Sequence, residues 1–531
     1  LTEKTSQIVQ TSQTIDPKNL TGVLGFATLP HQESFFYISA GDYKMIKIDT
    51  TNYDNSIDLK TLVGNEVAIS SSFKDATNLT VLLDKVTPKN PTTSNINSAS
   101  DIEKAGGGNY YLGDKKLIVV MCKYADVAAE PQTKAQFEER LNGTTLDTTN
   151  TYWKAITDDQ MTITGSATGW ITLPKPKSSY YGTDNYLVSQ NDCITAADSI
   201  VNYQNYDFIQ MVFNSDMDSF AAGLGYLGFV PLQLDGAVKN FGVTWLGDNG
   251  WRDSDIVQHE IGHNMGWDHS VGNGYEYGSK WDVMSGGGGY ESSVSDYLGT
   301  DTSAYYKYWS QILPPEQAAY ISGYSQSESI KLEKLNTFDH TDQKIRLAQV
   351  YTGGYSYTVE TRKKEGYDKY IPENGVIVQK VLPSYWPKVE VVDTEGDNNV
   401  NDTGSVLVPG ETYLFPGGQK ILKVISDYGT GYDIQIKDSF SVEITSPDNT
   451  ARLTTGSNYQ VVAEAEEFGG AISKVEFYSD YNLTNLIGTD FTAPYTLDMT
   501  NLAKGDYTVR AKAYTVGGFV QSFLREVYSS G

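Results

Sequence analysis

Apolar and polar positions alternate in short runs over most of this chain, and only a few stretches carry the 3.6-residue period of a helix. From 22 to 86 the runs are brief and broken by turn residues, and segments 35–38, 43–48, 66–70 and 79–83 read as strands. A near-continuous apolar run at 116–121 predicts a buried strand. A helix around 133–141 follows, with Phe137 and Leu141 on one face. Strands are then expected at 160–164 and 169–173, a helix near 193–204 opened by Cys193, and strands at 207–213 and 240–245. Helical spacing returns at 255–270 and at 305–309. From 330 to 437 strands dominate, at 345–351, 355–360, 375–381 and 432–437. In 441–530, segments 442–447, 474–478, 486–489, 493–495 and 505–511 alternate with turn signals, the pattern of a sandwich.

These patterns divide the chain. Residues 1–87 form a first β-rich domain with a polar arm at 1–20. Residues 88–111, rich in Pro, Ser, Asn and Gly, read as a linker and a place for proteolytic cleavage. A mixed domain spans 112–330, a β-sandwich accessory domain 331–438, and a further sandwich 439–531. The fold class is therefore multidomain, α+β and all-β, as suits 531 residues, too many for one ordinary core. The 38 tyrosines and 49 glycines fit β-rich architecture with many turns.

A formal net charge of −26 repels nucleic acid and anionic membranes, so neither is an expected partner. No run of 18 apolar residues exists, so membrane insertion is not expected. The polar start shows no signal peptide, and reads as a mature terminus after processing or as an arbitrary boundary. Two cysteines, Cys122 and Cys193, are too few for a disulfide framework; pairing in an oxidising compartment and two buried thiols both remain open. The loop 393–402 alternates oxygen side chains that could hold calcium. An EF-hand is excluded, because Asn398 and Gly404 stand at its sixth and twelfth positions, and a solvated polar loop is the preferred reading.

The densest chemistry lies in 255–270, DIVQHEIGHNMGWDHS. Of five histidines in the chain, three fall here, as His259-Glu260-x-x-His263-x-x-Gly266-x-x-His269. Residues four apart share a helix face, so His259 and His263 can direct two imidazoles at one ion. Gly266 can adopt the backbone angles that end a helix and return His269 as a third ligand. Three nitrogens and a water make a catalytic zinc site, with the water's pKa lowered to about 7. Glu260, beside the first ligand, can take that water's proton and pass it to a leaving amine. His340 and His31 read as surface residues.

This motif resembles the long zinc motif of the metzincin metallopeptidases. The segment 276–285, EYGSKWDVMS, resembles the family's Met-containing turn, with Met284 as the Met beneath the zinc, and its form is most similar to the gametolysin (peptidase M11) family. The resemblance implies a metzincin-like catalytic domain, a twisted sheet plus the active-site helix. It also implies that 240–245 edges the cleft and pairs with an extended substrate, an ordinary edge strand being the equal alternative. Some metzincins place a Tyr two residues after the Met; here Gly286 stands there, so that role does not carry over. Tyr275, Tyr277 and Tyr290 are near in sequence, and packing is their preferred reading. Neither Cys has the flanking residues of the propeptide Cys that keeps some metzincins latent.

The strand order in 1–87 and the Leu62-Val63-Gly64-x-x-Val67 step resemble an OB-like barrel, read as a spacer, folding aid or cover. Residues 439–531 resemble bacterial immunoglobulin-like modules. Together these imply a secreted, extracellular zinc metalloendopeptidase, a monomer, acting on proteins, peptides or glycoproteins. The alternative is a surface-binding or adhesive protein with a vestigial zinc site; the retained Glu260 favours the enzyme.

Overall fold

A computed structural model describes residues 17–30, 33–40, 44–55, 57–75, 80–89, 111–180, 186–217, 222–321, 327–336, 339–384, 386–521 and 525–530. The expected cleavage site in the linker lies almost wholly outside them. Two compact units emerge: 1–318 with 334–346 and 362–406, and 319–333 with 347–361 and 407–531.

The first unit opens with β1 (Leu20–Ala27), β2 (Phe35–Ala40), β3 (Lys44–Asp49), β4 (Glu66–Asp75) and β5 (Thr80–Pro88). They close into a barrel in the order β1-β2-β3-β5-β4, with β3 and β5 parallel and the other pairs antiparallel. Alternate residues face inward, so Leu24, Ile38, Ile46, Val67, Val81 and Leu83 fill the interior.

The next elements are β6 (Gly113–Lys123), α1 (Lys134–Asn142), α2 (Thr149–Ile156), β7 (Met161–Ala167), β8 (Ile171–Thr172), α3 (Tyr186–Ala197), β9 (Phe208–Phe213), β10 (Gly223–Gly225), β11 (Val230–Leu234) and β12 (Ala237–Leu246). Thr133 caps α1 through a reciprocal bond with Gln136. The sheet order is β10-β12-β9-β6-β7, parallel from β12 to β7, with β10 antiparallel on the edge. Residues 240–245 are therefore no edge strand: β9 flanks them on one side, and β10 and β11 on the other. The edge falls to β10, a three-residue strand too short and glycine-rich to announce itself.

Helix α3 begins and ends earlier than the sequence suggests, because Tyr186, Leu187 and Val188 are buried in the core and Cys193 lies mid-helix. Cys193 is disulfide-bonded to Cys122 on β6, tying α3 to the sheet. The core is shared with the barrel. Ala27, Leu29, Phe35, Tyr37 and Met45 pack into the same cluster as Tyr186, Tyr226, Val230 and Trp245. Tyr37 Oη donates to the Pro231 carbonyl at 2.9 Å, and Asn191 exchanges two hydrogen bonds with the Met45 backbone.

Then follow α4 (Ser254–Asn264), β13 (Val271–Gly272), β14 (Tyr275–Glu276), β15 (Gly288–Glu291), β16 (Asp296–Gly299) and α5 (Ala304–Trp309). Residues 362–406 fold back into this unit through a buried ionic centre. Arg362 Nε binds Asp368 at 2.7 Å and Arg362 Nη1 reaches the Trp281 carbonyl at 3.0 Å. Asp368 also accepts from Thr300 Oγ1 at 2.7 Å, and Lys307 pairs with Asp301 at 2.7 Å. Compact units and linear segments thus do not coincide between 319 and 438.

In the second unit, strands Ser327–Glu333, Gly431–Asp438, Lys420–Asp427 and Thr412–Leu414 make one antiparallel sheet in that order. Residues 440–530 form two sheets closing on Val442, Ile444, Val461, Phe477, Val509 and Ala511. No helix among the described residues is long and apolar enough to cross a membrane.

Candidate metal centre

Helix α4 starts where Asp296, on β16, accepts the Ser254 N–H at 3.2 Å. It stops at Met265, because Gly266 takes the left-handed backbone (φ +82°). A side chain at 266 would also strike the Trp309 and Trp386 rings, its Cβ falling 2.6 and 2.9 Å from them. The turn brings His269 back over the helix, so that ligand atoms of His259, His263 and His269 all lie within 4.8 Å of one another.

Each imidazole is oriented through its Nδ1. That of His259 donates to the Val283 carbonyl at 2.8 Å, that of His263 to the Trp267 carbonyl at 2.8 Å, and that of His269 to Glu276 Oε2 at 3.2 Å. These acceptors fix the proton on Nδ1 and turn Nε2 of each ring toward a common point, as a metal-binding atom. Nε2 of His263 and of His269 are 3.1 Å apart. Three ring nitrogens converging in a buried place fit a tetrahedral metal with one open position. Glu276 is itself held by Lys388, and its hydrogen bond to His269, then that lysine, keeps its carboxyl down at about 2.

Glu260 is buried, and among the described residues its Oε2 has no hydrogen-bond partner. Burial pushes its carboxyl well above the usual range. Room for it exists because β10 carries Gly223, where a Cβ would sit 2.6 Å from Glu260 Oε1. Met284 is fully buried under α4, and its sulfur occupies the space that a side chain at Gly262 would need. Asp282 holds the Met284 turn. It accepts from the Met284 N–H at 2.9 Å, Ser270 Oγ at 2.6 Å and Thr302 Oγ1 at 2.9 Å. Glu276 and Asp282 both lie in the 276–285 segment, but spacing alone assigns neither of them a partner.

Tyr277 corrects an expectation. Packing was its preferred reading, yet its hydroxyl lies 2.8 Å from His269 Nε2, with the two rings 4.4 Å apart. The ring is half exposed, but desolvation of its hydroxyl, and then Glu260 and Glu276, push its phenol up, so it stays protonated and can donate. Tyr275 and Tyr290 are exposed, and Tyr290 packs on Tyr297 instead. His340 pairs with Asp158 at 2.6 Å in a half-buried position apart from the other histidines. His31 lies outside the described residues.

The loop 393–402 gathers Glu395, Asp397 and Asp402 at the surface. Its visible work is bracing: Val400 accepts the Trp281 indole N–H at 2.6 Å, and Asn401 accepts the Lys280 N–H and donates to the Gly278 carbonyl, both at 2.7 Å.

Over the histidines lies a cavity of about 580 Å³, bounded by Gly223 and Leu224 of β10, the first two turns of α4, Tyr277, and the glycine run 286–289. A buried triad of imidazoles, an adjacent unpartnered carboxyl and an open cleft suit hydrolysis at a polarised carbonyl.

Comparison with known proteins bears on the same segment. A family model described as metallo-peptidase family M12B reprolysin-like matches residues 122–270, and a bacterial Ig domain model matches 441–511. The matches support a metallopeptidase carrying an immunoglobulin-like domain, and reprolysin-like peptidases act with zinc. No curated protein matches the chain. Among solved structures, fibronectin(III)-like modules of CbhA from Clostridium thermocellum share 33% identity over 17% of this chain and 94% of theirs, with a TM-score of 0.16. The PKD domain of an M14-like peptidase from a Thermoplasmatales archaeon shares 20% identity over 17% of this chain and 96% of its own, with a TM-score of 0.13.

Proposed function

We propose that the chain is a secreted zinc endopeptidase, gametolysin-like in its Met turn, hydrolysing peptide bonds of extracellular or cell-surface proteins. The observation that carries this reading is the convergence of three Nε2 atoms beside the buried, unpartnered oxygen of Glu260. Zinc held by His259, His263 and His269 would polarise the scissile carbonyl and acidify a water. Glu260 takes the proton from the attacking water and hands it to the leaving amine. The exposed edge of β10 offers backbone groups to an extended peptide. Met284 and Asp282 hold the floor on which the histidines stand. The Cys122–Cys193 disulfide supports an oxidising, extracellular setting. The shared core favours a barrel that stays with the peptidase over a detachable cover.

The test is Glu260→Gln, which preserves shape and removes the base. Zinc content by elemental analysis should match the wild type, while hydrolysis of casein or a fluorogenic peptide falls roughly 10²–10⁴-fold. Near-normal turnover in that variant would sink the mechanism.

A further inference from the structure

The cavity over the histidines runs along the first turn of α4 and meets there an acidic group without a counter-charge. Asp255 lines the cavity with Ile256, Val283 and Tyr297. It stands four residues before His259, on the same helix face and about one turn away, roughly 6 Å along the axis. Its carboxylate accepts the Ile256 N–H at 2.8 Å, and no ion pair to it is found among the described residues. Among the described residues, the cavity wall contains two carboxyl groups, Asp255 and Glu260, and no Lys or Arg. Glu260 is reserved for proton transfer, which leaves Asp255 unassigned.

Its neighbours deepen the negative field. Asp253 and Asp296 both act on it. The nearby cations are engaged elsewhere: Arg140 pairs with Asp296 at 2.7 Å, and Arg252 reaches toward Asp248 at 3.8 Å. The rest of this wall is suited to a long aliphatic stem. Ile256, Val283 and the Tyr297 ring are apolar, and Gly286–Gly289 present backbone with no side chains to narrow the entrance.

We propose that Asp255 makes this cleft select a basic side chain, lysine or arginine, next to the scissile bond; the inference rests on the peptidase reading above. A peptide whose carbonyl lies at the histidines places such a side chain one helical turn along the cleft, where its charge meets Asp255, the carboxylate of the described wall that is not needed for chemistry. Burial first, then Asp253 and Asp296, hold the empty group up at about 6, as expected of a carboxyl that lacks its cation.

The experiment uses the zinc-loaded full chain and quenched peptides that differ at a single residue beside the scissile bond: Lys, norleucine or Glu. The wild type should prefer Lys over norleucine by roughly 10- to 100-fold in kcat/KM, the range of a charge-assisted pair in a partly desolvated site, with Glu poorest. Asp255→Asn should collapse that ratio toward one, and Asp255→Lys should turn the preference toward Glu. Retention of the full Lys preference in Asp255→Asn overturns the assignment, as does a wild type indifferent to charge. A second readout avoids turnover: fluorescence anisotropy of the same peptides on the Glu260→Gln protein should give the same order of affinity. Charge-selective binding without cleavage by the wild type would refute the peptidase reading alone. Cleavage without charge preference would refute Asp255 alone. Zinc content and circular dichroism of the Asp255 variants show that the fold is retained.

Discussion

Tyr277 illustrates how a single side chain acquires its task from placement rather than from sequence position. The hydroxyl now shares the Nε2 lone pair of His269 at 2.8 Å. Were His269 to hold a metal through that nitrogen, Tyr277 Oη would lose this partner and could donate instead to the oxygen that gains charge during attack. Tyr277→Phe should therefore keep its zinc and its KM, and lose kcat by roughly 10- to 100-fold, within reach of a lost oxyanion donor. Unchanged kcat would return Tyr277 to a packing role. The three histidines were legible because i, i+4 spacing and a glycine turn are local geometry. Tyr277, Glu276 and Asp282 were not, because each meets the site through a turn whose course depends on partners far along the chain, such as Lys388 and Asn401.

At the level of elements, helix α4 and the turn at Gly266 act together. The helix aims two imidazoles, but the third depends on one residue with φ +82° packed against two tryptophans. Gly266→Ala would strain the backbone by about 1 kcal/mol or more before any clash is counted. The Cβ would also fall 2.6 Å from the Trp309 ring. Expected results are a clearly lower melting temperature and reduced zinc content, since His269 must shift; normal values of both would show that the turn tolerates a side chain. Strand existence was well marked by apolar runs, as in β6 and β9, both buried along most of their length. Strand position was not. Which strand forms the edge is decided by pairing partners, so the apolar run of β12 reads as an edge that the three-residue β10 in fact provides. Helix α2 escaped notice because its eight residues offer only two turns of period.

On the scale of the whole molecule, the sequence marked where patterns change but not which pieces share a core. The barrel reads as separate because a flexible composition follows it, yet Phe35, Tyr37 and Met45 are buried among residues from α3, β11 and β12. The C-terminal module is different. Residues 440–530 close two sheets on their own cluster of Val442, Val461, Phe477 and Val509, with no His or Cys in the span. A module with its own core can be removed without unfolding the rest. Truncation after Asp438 should leave hydrolysis of a short soluble peptide nearly unchanged. If the module tethers the peptidase to its target, the same truncation should weaken action on an insoluble or cell-surface protein, because it removes the local concentration that tethering supplies. Loss in both assays would mean that the peptidase needs the module to fold. Loss in neither would leave it a spacer. The expected outcome is loss on the surface substrate alone, measured as the ratio of the two rates in the truncated and full-length proteins.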